Sequence, residues 1–310
     1  MFEIFSNIVS IFLILLIGVY GNKKRIITEE TQKGLIEILL NITLPLMIVS
    51  SFSFSFHESI MNNIIKAFIY SFICFIIAIP LCHMLFKKVK SEGKRRVLQF
   101  SSVFSNCGFI GFPIVNMVFG SEGVIYESIF NLFFTIFLWT YGVILYSDSK
   151  EKNDIKRILL NPSMIAVYIG LPILIFNINI PQIILYPTNM VGSMTTPISM
   201  IVIGSVLSKV DFRKMLKDGS IYYGALVKLA LLPLTVLILG SILKDNTIVV
   251  KTLVLVQAMP AATTTTIFAE KFNMEKEYSA IIVLVTTLIS LLTLPFWISY
   301  LVYKYESEKF

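Results

Sequence analysis

Two apolar stretches carry polar residues, glycine and proline where a membrane helix would ordinarily run unbroken. The first reads Ser105-Asn106-Cys107-Gly108-Phe109-Ile110-Gly111-Phe112-Pro113. The second reads Gln257-Ala258-Met259-Pro260-Ala261-Ala262, followed by Thr263, Thr264, Thr265 and Thr266. Proline has no N–H for the carbonyl one turn earlier and glycine loosens the helix around it, so both stretches release carbonyls and amides. Lipid satisfies neither, and such a break persists only where protein or a wet cavity takes up the freed groups. Freed amides hold an anion, freed carbonyls a cation or a proton donor. Taken singly, either stretch also reads as a proline kink with glycines for close packing. Interrupted segments at matching places in two halves of a chain instead point to the substrate site of a secondary transporter.

The candidate binding residues follow from these breaks: Asn106, Gly108, Gly111 and Pro113 in the first, and Gln257, Pro260 and Thr263 in the second. Gln257 offers both donor and acceptor from an amide that is costly to place in lipid. The four threonines put hydroxyls on every side of a helix, where some bond back to the backbone and one or two face a cavity. Asn41 and Pro45, early in the chain, are expected to face the same cavity. Lys228 is the single charge that falls deep in an apolar segment, about 9 Å in from Tyr222 at helical rise. It reads either as an anion partner or fixed positive charge, or as a long side chain reaching back to the cytoplasmic surface. Glu37 reads as interfacial, with charge coupling as its alternative. No aspartate or glutamate is placed near the centre of a span, which argues against a two-carboxylate sodium/proton exchanger and leaves anion movement open. A monoanion leaving a cell with a negative interior gains about 2.3 kcal/mol per 100 mV.

The elements that must position these residues are membrane helices. With 310 residues, 56% of them hydrophobic, and a mean hydropathy of +0.81, the chain has more apolar surface than one soluble core hides. Ten spans are expected: Phe5–Tyr20, Gly34–Phe54, Ile64–Phe86, Val97–Phe119, Val124–Tyr146, Pro162–Phe176, Ile183–Leu207, Tyr222–Leu243, Ile248–Phe268 and Tyr278–Tyr303. The first lacks a basic leader and a small-residue cleavage site, so it is taken as a span and not as a signal peptide. Lysines and arginines fall after odd-numbered spans, about twenty against about five on the other side, the latter including Lys66, Lys244, Lys251, Lys304 and Lys309. The odd loops are therefore expected in the cytoplasm and both termini outside.

The hydrophilic stretch Ser147 to Arg157 separates five spans from five, residues 1–150 from 151–310. Because five is odd, two related halves would insert in opposite orientations. Asn41-Ile42-Thr43-Leu44-Pro45-Leu46-Met47-Ile48-Val49-Ser50 echoes Met194-Thr195-Thr196-Pro197-Ile198-Ser199-Met200-Ile201-Val202. This pairs Pro45 with Pro197 and, further on, Pro113 with Pro260. Chance likeness among apolar segments is the alternative.

Other chemistries find little support. Cys74, Cys82 and Cys107 have no CxxC spacing, and His57 and His83 fall near span ends, so no metal, cofactor or disulfide framework is expected. The spans offer no HExxH, no GxSxG and no paired acids, which argues against an intramembrane enzyme. The net charge of +7 is that of basic loops beside a lipid bilayer and calls for no nucleic acid.

The order Leu44-Pro45, Asn106-x-Gly108-x-x-Gly111-x-Pro113, Phe119-Gly120, Met259-Pro260 and Phe268-Ala269-Glu270-Lys271 resembles the auxin efflux carrier family over essentially the whole chain. The resemblance implies an all-α fold of ten transmembrane helices in two inverted five-helix repeats, related to bile-acid and sodium/proton transporter folds. It implies a scaffold of spans one, two, six and seven, a transport domain of the rest, and crossing broken helices four and nine. Elevator-type alternating access for organic anions is implied too, with auxin carried by plant members and carboxylates such as malate or malonate by bacterial ones. A homodimer would suit that design. The short Ser147–Arg157 loop departs from the long loop of many plant members, so regulation through it is not carried over. A plasma-membrane transporter of a small organic anion is the resulting expectation, with a channel or membrane receptor of the same fold as the alternative.

Overall fold

The computed structural model describes residues 2–53, 58–146, 160, 162–176, 178–208 and 218–306. The Ser147–Arg157 loop, His57, Lys309 and the basic residues from Lys209 to Lys217 lie outside the described residues. Within them the chain is helical, with one isolated antiparallel β-bridge between Ser105 and Ala261. The helices are α1 (Phe2–Lys23), α2 (Glu29–Ile38), α3 (Leu44–Ser51), α4 (Glu58–Phe86), α5 (Glu92–Val103), α6 (Phe112–Phe137), α7 (Val143–Tyr146) and α8 (Pro162–Ile175). They continue with α9 (Gln182–Ser193), α10 (Thr195–Leu207), α11 (Gly219–Leu226), α12 (Leu232–Ile242), α13 (Ile248–Gln257), α14 (Thr264–Lys271) and α15 (Lys276–Glu306).

Six stretches are long and apolar enough to cross a bilayer: Glu29–Ser51, Met61–Phe86, Cys107–Tyr146, Gln182–Val206, Gly219–Ile242 and Lys276–Val302. Leu13–Lys23, Pro162–Ile175 and Ile248–Gln257 are apolar but shorter. On α4 the side chains of Ile65, Ile69, Phe72 and Ile76 are all exposed at the three- and four-residue spacing of one face. Such a stripe is ill-suited to water and well suited to acyl chains.

Three π-helical turns, Leu39–Thr43, Cys107–Gly111 and Val227–Leu231, each end two residues before a proline, namely Pro45, Pro113 and Pro233. The proline ring collides with the carbonyl four residues earlier, and widening the turn by one residue moves that carbonyl aside. Between Phe119 and Val124 the chain turns at Gly120, whose φ of 62° and ψ of −155° are not helical and divide α6 into two helices; the positive φ suits a residue without Cβ.

The chain divides into two compact units, each drawing on both halves of the sequence. One comprises Met1–Ile65, Gly108–Ile129 and Leu159–Val210. Within it α1 packs on α10, and α3 packs on α8 and α9. The α1–α10 approach brings backbone to backbone: a Cβ on Gly18 would strike the carbonyl of Ile201, and one on Gly204 the carbonyl of Leu15.

The other unit comprises Lys66–Cys107, Phe130–Ile158 and Asp211–Phe310. Its core is aromatic. Phe75 stacks on Phe130 and Phe137 at 5.1 and 4.9 Å between ring centres, and Phe100 meets Phe104, Tyr146 and Phe268 at 4.7 to 5.0 Å. Ser91 begins α5 by accepting from the Lys94 N–H (3.4 Å), and Asp218 begins α11 by accepting from the Ser220 N–H (3.0 Å).

Overpacking at the glycine contact should be destabilising. Gly204→Ala is expected to cost about 1–3 kcal/mol, seen as a lower thermal unfolding midpoint in detergent. Gly34→Ala, whose Cβ meets nothing within 4 Å, should leave the midpoint unlowered. Equal behaviour of the two variants would remove the backbone contact as a determinant of this unit.

Candidate functional site

The first break follows α5. Phe104 is extended (φ −98°, ψ 110°), Ser105 and Asn106 carry the chain out of the helix, and the turn Cys107–Gly111 starts the next helical run. The second break follows α13 at Gln257, and the chain passes through Met259, Pro260 and Ala261 before α14 begins at Thr264. The two interruptions lie antiparallel. Asn106 N–H donates to the Pro260 carbonyl (2.8 Å) and Ala262 N–H to the Phe104 carbonyl (2.9 Å), with Ser105 opposite Ala261. Pro260 offers its carbonyl and has no N–H to leave unpaired. The Ala261 N–H donates to Thr286 Oγ1 (3.2 Å), and the Ser105 carbonyl accepts from Cys107 N–H (2.8 Å). Aromatic packing fixes both sides of the crossing, through Phe104 on Phe75 and Phe134 and through Phe268 on Trp139 and Tyr146.

Lys228 reaches this bridge from the π-turn Val227–Leu231. Its side chain is buried, and the ammonium donates to Ser105 Oγ (2.5 Å). The Ser105 hydroxyl in turn donates to Gln257 Oε1 (3.4 Å). Of the two positions open from sequence, Lys228 therefore takes the inward one. Among the described residues no carboxylate forms an ion pair with it. The turn that aims Lys228 is itself supported. Pro233 cannot donate to the Leu229 carbonyl, and the indole N–H of Trp297 does so instead at 2.9 Å.

Further hydroxyls line the broken spans. Ser102 on α5, Thr252 on α13, and Thr264 and Thr265 at the start of α14 have buried oxygens that make no hydrogen bond within the protein. Each is a donor able to turn to an acceptor.

The structure thus brings together Asn106, Gln257, Pro260 and Lys228 of the residues expected from sequence, and adds Ser105, whose hydroxyl links Lys228 to Gln257. Thr263 is half-buried at the turn into α14, where its carbonyl accepts from Thr266 N and Oγ1 (3.1 and 2.7 Å). Gly108, Gly111 and Pro113 follow the first break but fall in the other compact unit; Gly111 and Pro113 are buried, and Gly108 has open space where a Cβ would point. That unit also holds Glu37 and Asn41, both exposed, and the half-buried Pro45.

Two charged residues expected near span ends are buried. Lys251, counted on the external side, is the fourth residue of α13 and is buried. Glu127, at the start of the fifth expected span and seven residues after Gly120, is fully buried.

A family model described as membrane transport protein matches residues 3–298 of the chain. The chain belongs to this family, that of the auxin efflux carriers. It is 27% identical over 304 residues to an uncharacterized transporter of Methanocaldococcus jannaschii, covering 94% of this chain and 97% of that protein. It is 21% identical over 305 residues to an uncharacterized transporter of Methanothermobacter thermautotrophicus, covering 94% and 96%. Identity to the uncharacterized transporter YfdV of Escherichia coli is also 21%, over 307 residues with the same coverage. The protein is a multi-pass membrane transporter.

In this family member the unit that holds the crossing is tied by two lysine–aspartate pairs whose aspartates lie outside the membrane-spanning stretches. Lys94 donates to Asp218 (2.8 Å), which also accepts from the Ser220 hydroxyl (2.7 Å). The Lys94 bond, helped by Ser220, holds the Asp218 carboxyl down at about 2. Asp245 accepts from Lys66 (2.7 Å), from the Tyr70 hydroxyl (2.9 Å) and from Thr247 N–H (2.9 Å). Burial pushes Asp245 up, and these bonds outweigh it, leaving the carboxyl at about 2.

Two outcomes follow from these contacts. A depressed carboxylate stabilises the fold fully above its ordinary value of 3.8, and that contribution is lost as pH falls through about 2. The melting midpoint should drop over that interval, and the drop should shrink in an Asp218→Asn, Asp245→Asn double variant; an unchanged acid limb would show that the pairs do not act. Trp297→Phe should cost about 1–3 kcal/mol by leaving the Leu229 carbonyl unpaired. A smaller cost is expected in a Pro233→Ala background, where residue 233 regains an N–H. Equal costs in a double-mutant cycle of unfolding would sink the repair.

Proposed function

We propose that this transporter carries small organic anions, carboxylates of the malate or malonate class or auxin-like acids, with the anion held at the crossing of the broken helices. The single observation that carries this reading is Lys228, a buried lysine with no carboxylate partner among the described residues, bonded to Ser105 at the bridge between the two breaks. A carboxylate placed there gains a charge-assisted partner.

The carrier is proposed to have ten spans as two inverted repeats, residues 1–150 and 151–310. Supporting this is the way span one packs on the second part of span seven while span two packs on span six. Exchange of the two halves turns each of those contacts into the other, as a two-fold between repeats requires. Elevator-type movement is supported in part by composition: one compact unit gathers the expected scaffold spans one, two, six and seven together with Gly108–Ile129 of spans four and five, and the other gathers spans three, eight, nine and ten. The distribution of lysine and arginine supports a plasma-membrane protein with both termini external.

Counterflow of labelled malate or malonate into proteoliposomes tests the reading. Saturable exchange is expected, weakened about ten- to hundred-fold in apparent affinity by Lys228→Gln, as loss of a hydrogen bond to a charged group implies. Lys228→Gln with unchanged affinity would remove the lysine from the site, and flux that never saturates would favour a channel.

A further inference from the structure

Glu127 is a buried acid that the proposed anion site does not use. It lies about two turns beyond the bend at Gly120, is fully buried, and neither carboxyl oxygen has a hydrogen-bond partner. Its neighbours in sequence are spoken for. The Tyr126 hydroxyl donates to Glu122 (2.6 Å) and also bonds Asn63 of α4, while Ser128 donates to the Val124 carbonyl (2.7 Å).

Among the described residues of that compact unit no cation is buried. Among its described residues Glu127 and Tyr126 are the buried ionisable groups. Lys23, Lys24 and Arg25 at the end of α1, Glu29, Glu30, Lys33 and Glu37 on α2, Tyr168 on α8 and Tyr186 on α9 are all exposed. An ionised carboxylate at this place would have neither water nor a cation against it, whereas the neutral acid needs one acceptor at most. α10 carries two hydroxyls one turn apart, Thr195 and Ser199, that are likewise buried and unbonded in this unit.

We infer that Glu127 is a proton-binding site of the carrier, taking a proton from water on one side of the membrane and returning it on the other as the anion is carried. The balance is simple. The carboxylate and a proton form the carboxylic acid, the O–H breaks when the group next meets water, and a dianion such as malonate moved together with that proton crosses with one net negative charge instead of two. A packed apolar side chain would be the less costly occupant of this position, so a carboxyl kept there is an intramembrane acid of the kind that relays protons. The inference rests on the carrier reading for its coupling role and on burial alone for the bound proton.

Two measurements separate those parts. In proteoliposomes with equal anion on both sides, an imposed pH gradient should drive accumulation of labelled malonate. Glu127→Gln, which mimics the protonated acid, should lose that accumulation down to the level seen with a protonophore while keeping anion exchange. Accumulation that survives in Glu127→Gln overturns the coupling role. Independently of transport, infrared spectra of the full-length protein in lipid at neutral pH should show the C=O stretch of a buried protonated carboxylic acid, absent from Glu127→Gln and displaced in Glu127→Asp. If neither variant folds, the wild-type band stands as the test: its absence at neutral pH overturns the proton site whether or not malonate is the substrate.

Discussion

Everything in the binding unit depends on one constraint, that no backbone N–H or C=O may stay unpaired at membrane depth. Each broken helix violates it alone. Phe104 and Pro260 present carbonyls, and Asn106 and Ala262 present amides, that no helix of their own can use. Laid antiparallel, each interruption supplies what the other lacks, through the 2.8 and 2.9 Å bonds that flank the Ser105–Ala261 bridge. The breaks are consequently interdependent: neither is tolerable without the other, and their crossing point is set by hydrogen-bond register and not only by packing. That register puts the Ser105 hydroxyl between Lys228 and Gln257.

The chain's prolines show two answers to the same problem. At Pro233 the freed carbonyl of Leu229 is repaired locally by the Trp297 indole, and the helix runs on through a widened turn. At Pro260 the freed carbonyl of Val256 accepts from the Met259 N–H in a tighter turn (3.3 Å) and the helix stops. The π-turn also does something a regular helix would not: one extra residue rotates the side chains that follow, so a widened turn reorients a residue without ending the span. Lys228 sits in such a turn. The same proline that costs a hydrogen bond therefore helps direct Lys228 to the crossing.

Much of this was legible in the sequence, for a physical reason. Long apolar runs leave the chain few alternatives to helices, and Pro, Gly, Asn and Gln inside them are expensive enough to stand out. Asn106, Gln257, Pro260 and Lys228 were visible on those grounds. Ser105 stood in the quoted motif but carried no signal that it, more than its neighbours, would join Lys228 to Gln257; that depends on antiparallel register between segments about 150 residues apart in sequence, which periodicity does not encode. Trp297 was illegible likewise, since its partner carbonyl is defined by a proline on another helix. The burial of Glu127 and Lys251 was illegible for a related reason: each is the fourth residue of an expected span, and whether that face is covered depends on neighbours distant in sequence.

The lysines of this unit divide by what faces them, and the division bears on what the crossing is for. Lys66 and Lys94 lie near span ends and each has an aspartate at 2.7 or 2.8 Å; their role is explained by that pairing. Lys228 is deeper, is only 1% exposed, and has a serine hydroxyl in place of a carboxylate. A neutral hydroxyl offsets a small part of the cost of taking an ammonium out of water, so for stability alone an apolar side chain of the same volume would serve better. Placing an aspartate opposite Lys228, as at both ends of the unit, would remove the penalty and also occupy the lysine. Leaving the partner neutral keeps Lys228 clear of a fixed carboxylate, and that is the feature the proposed anion site uses.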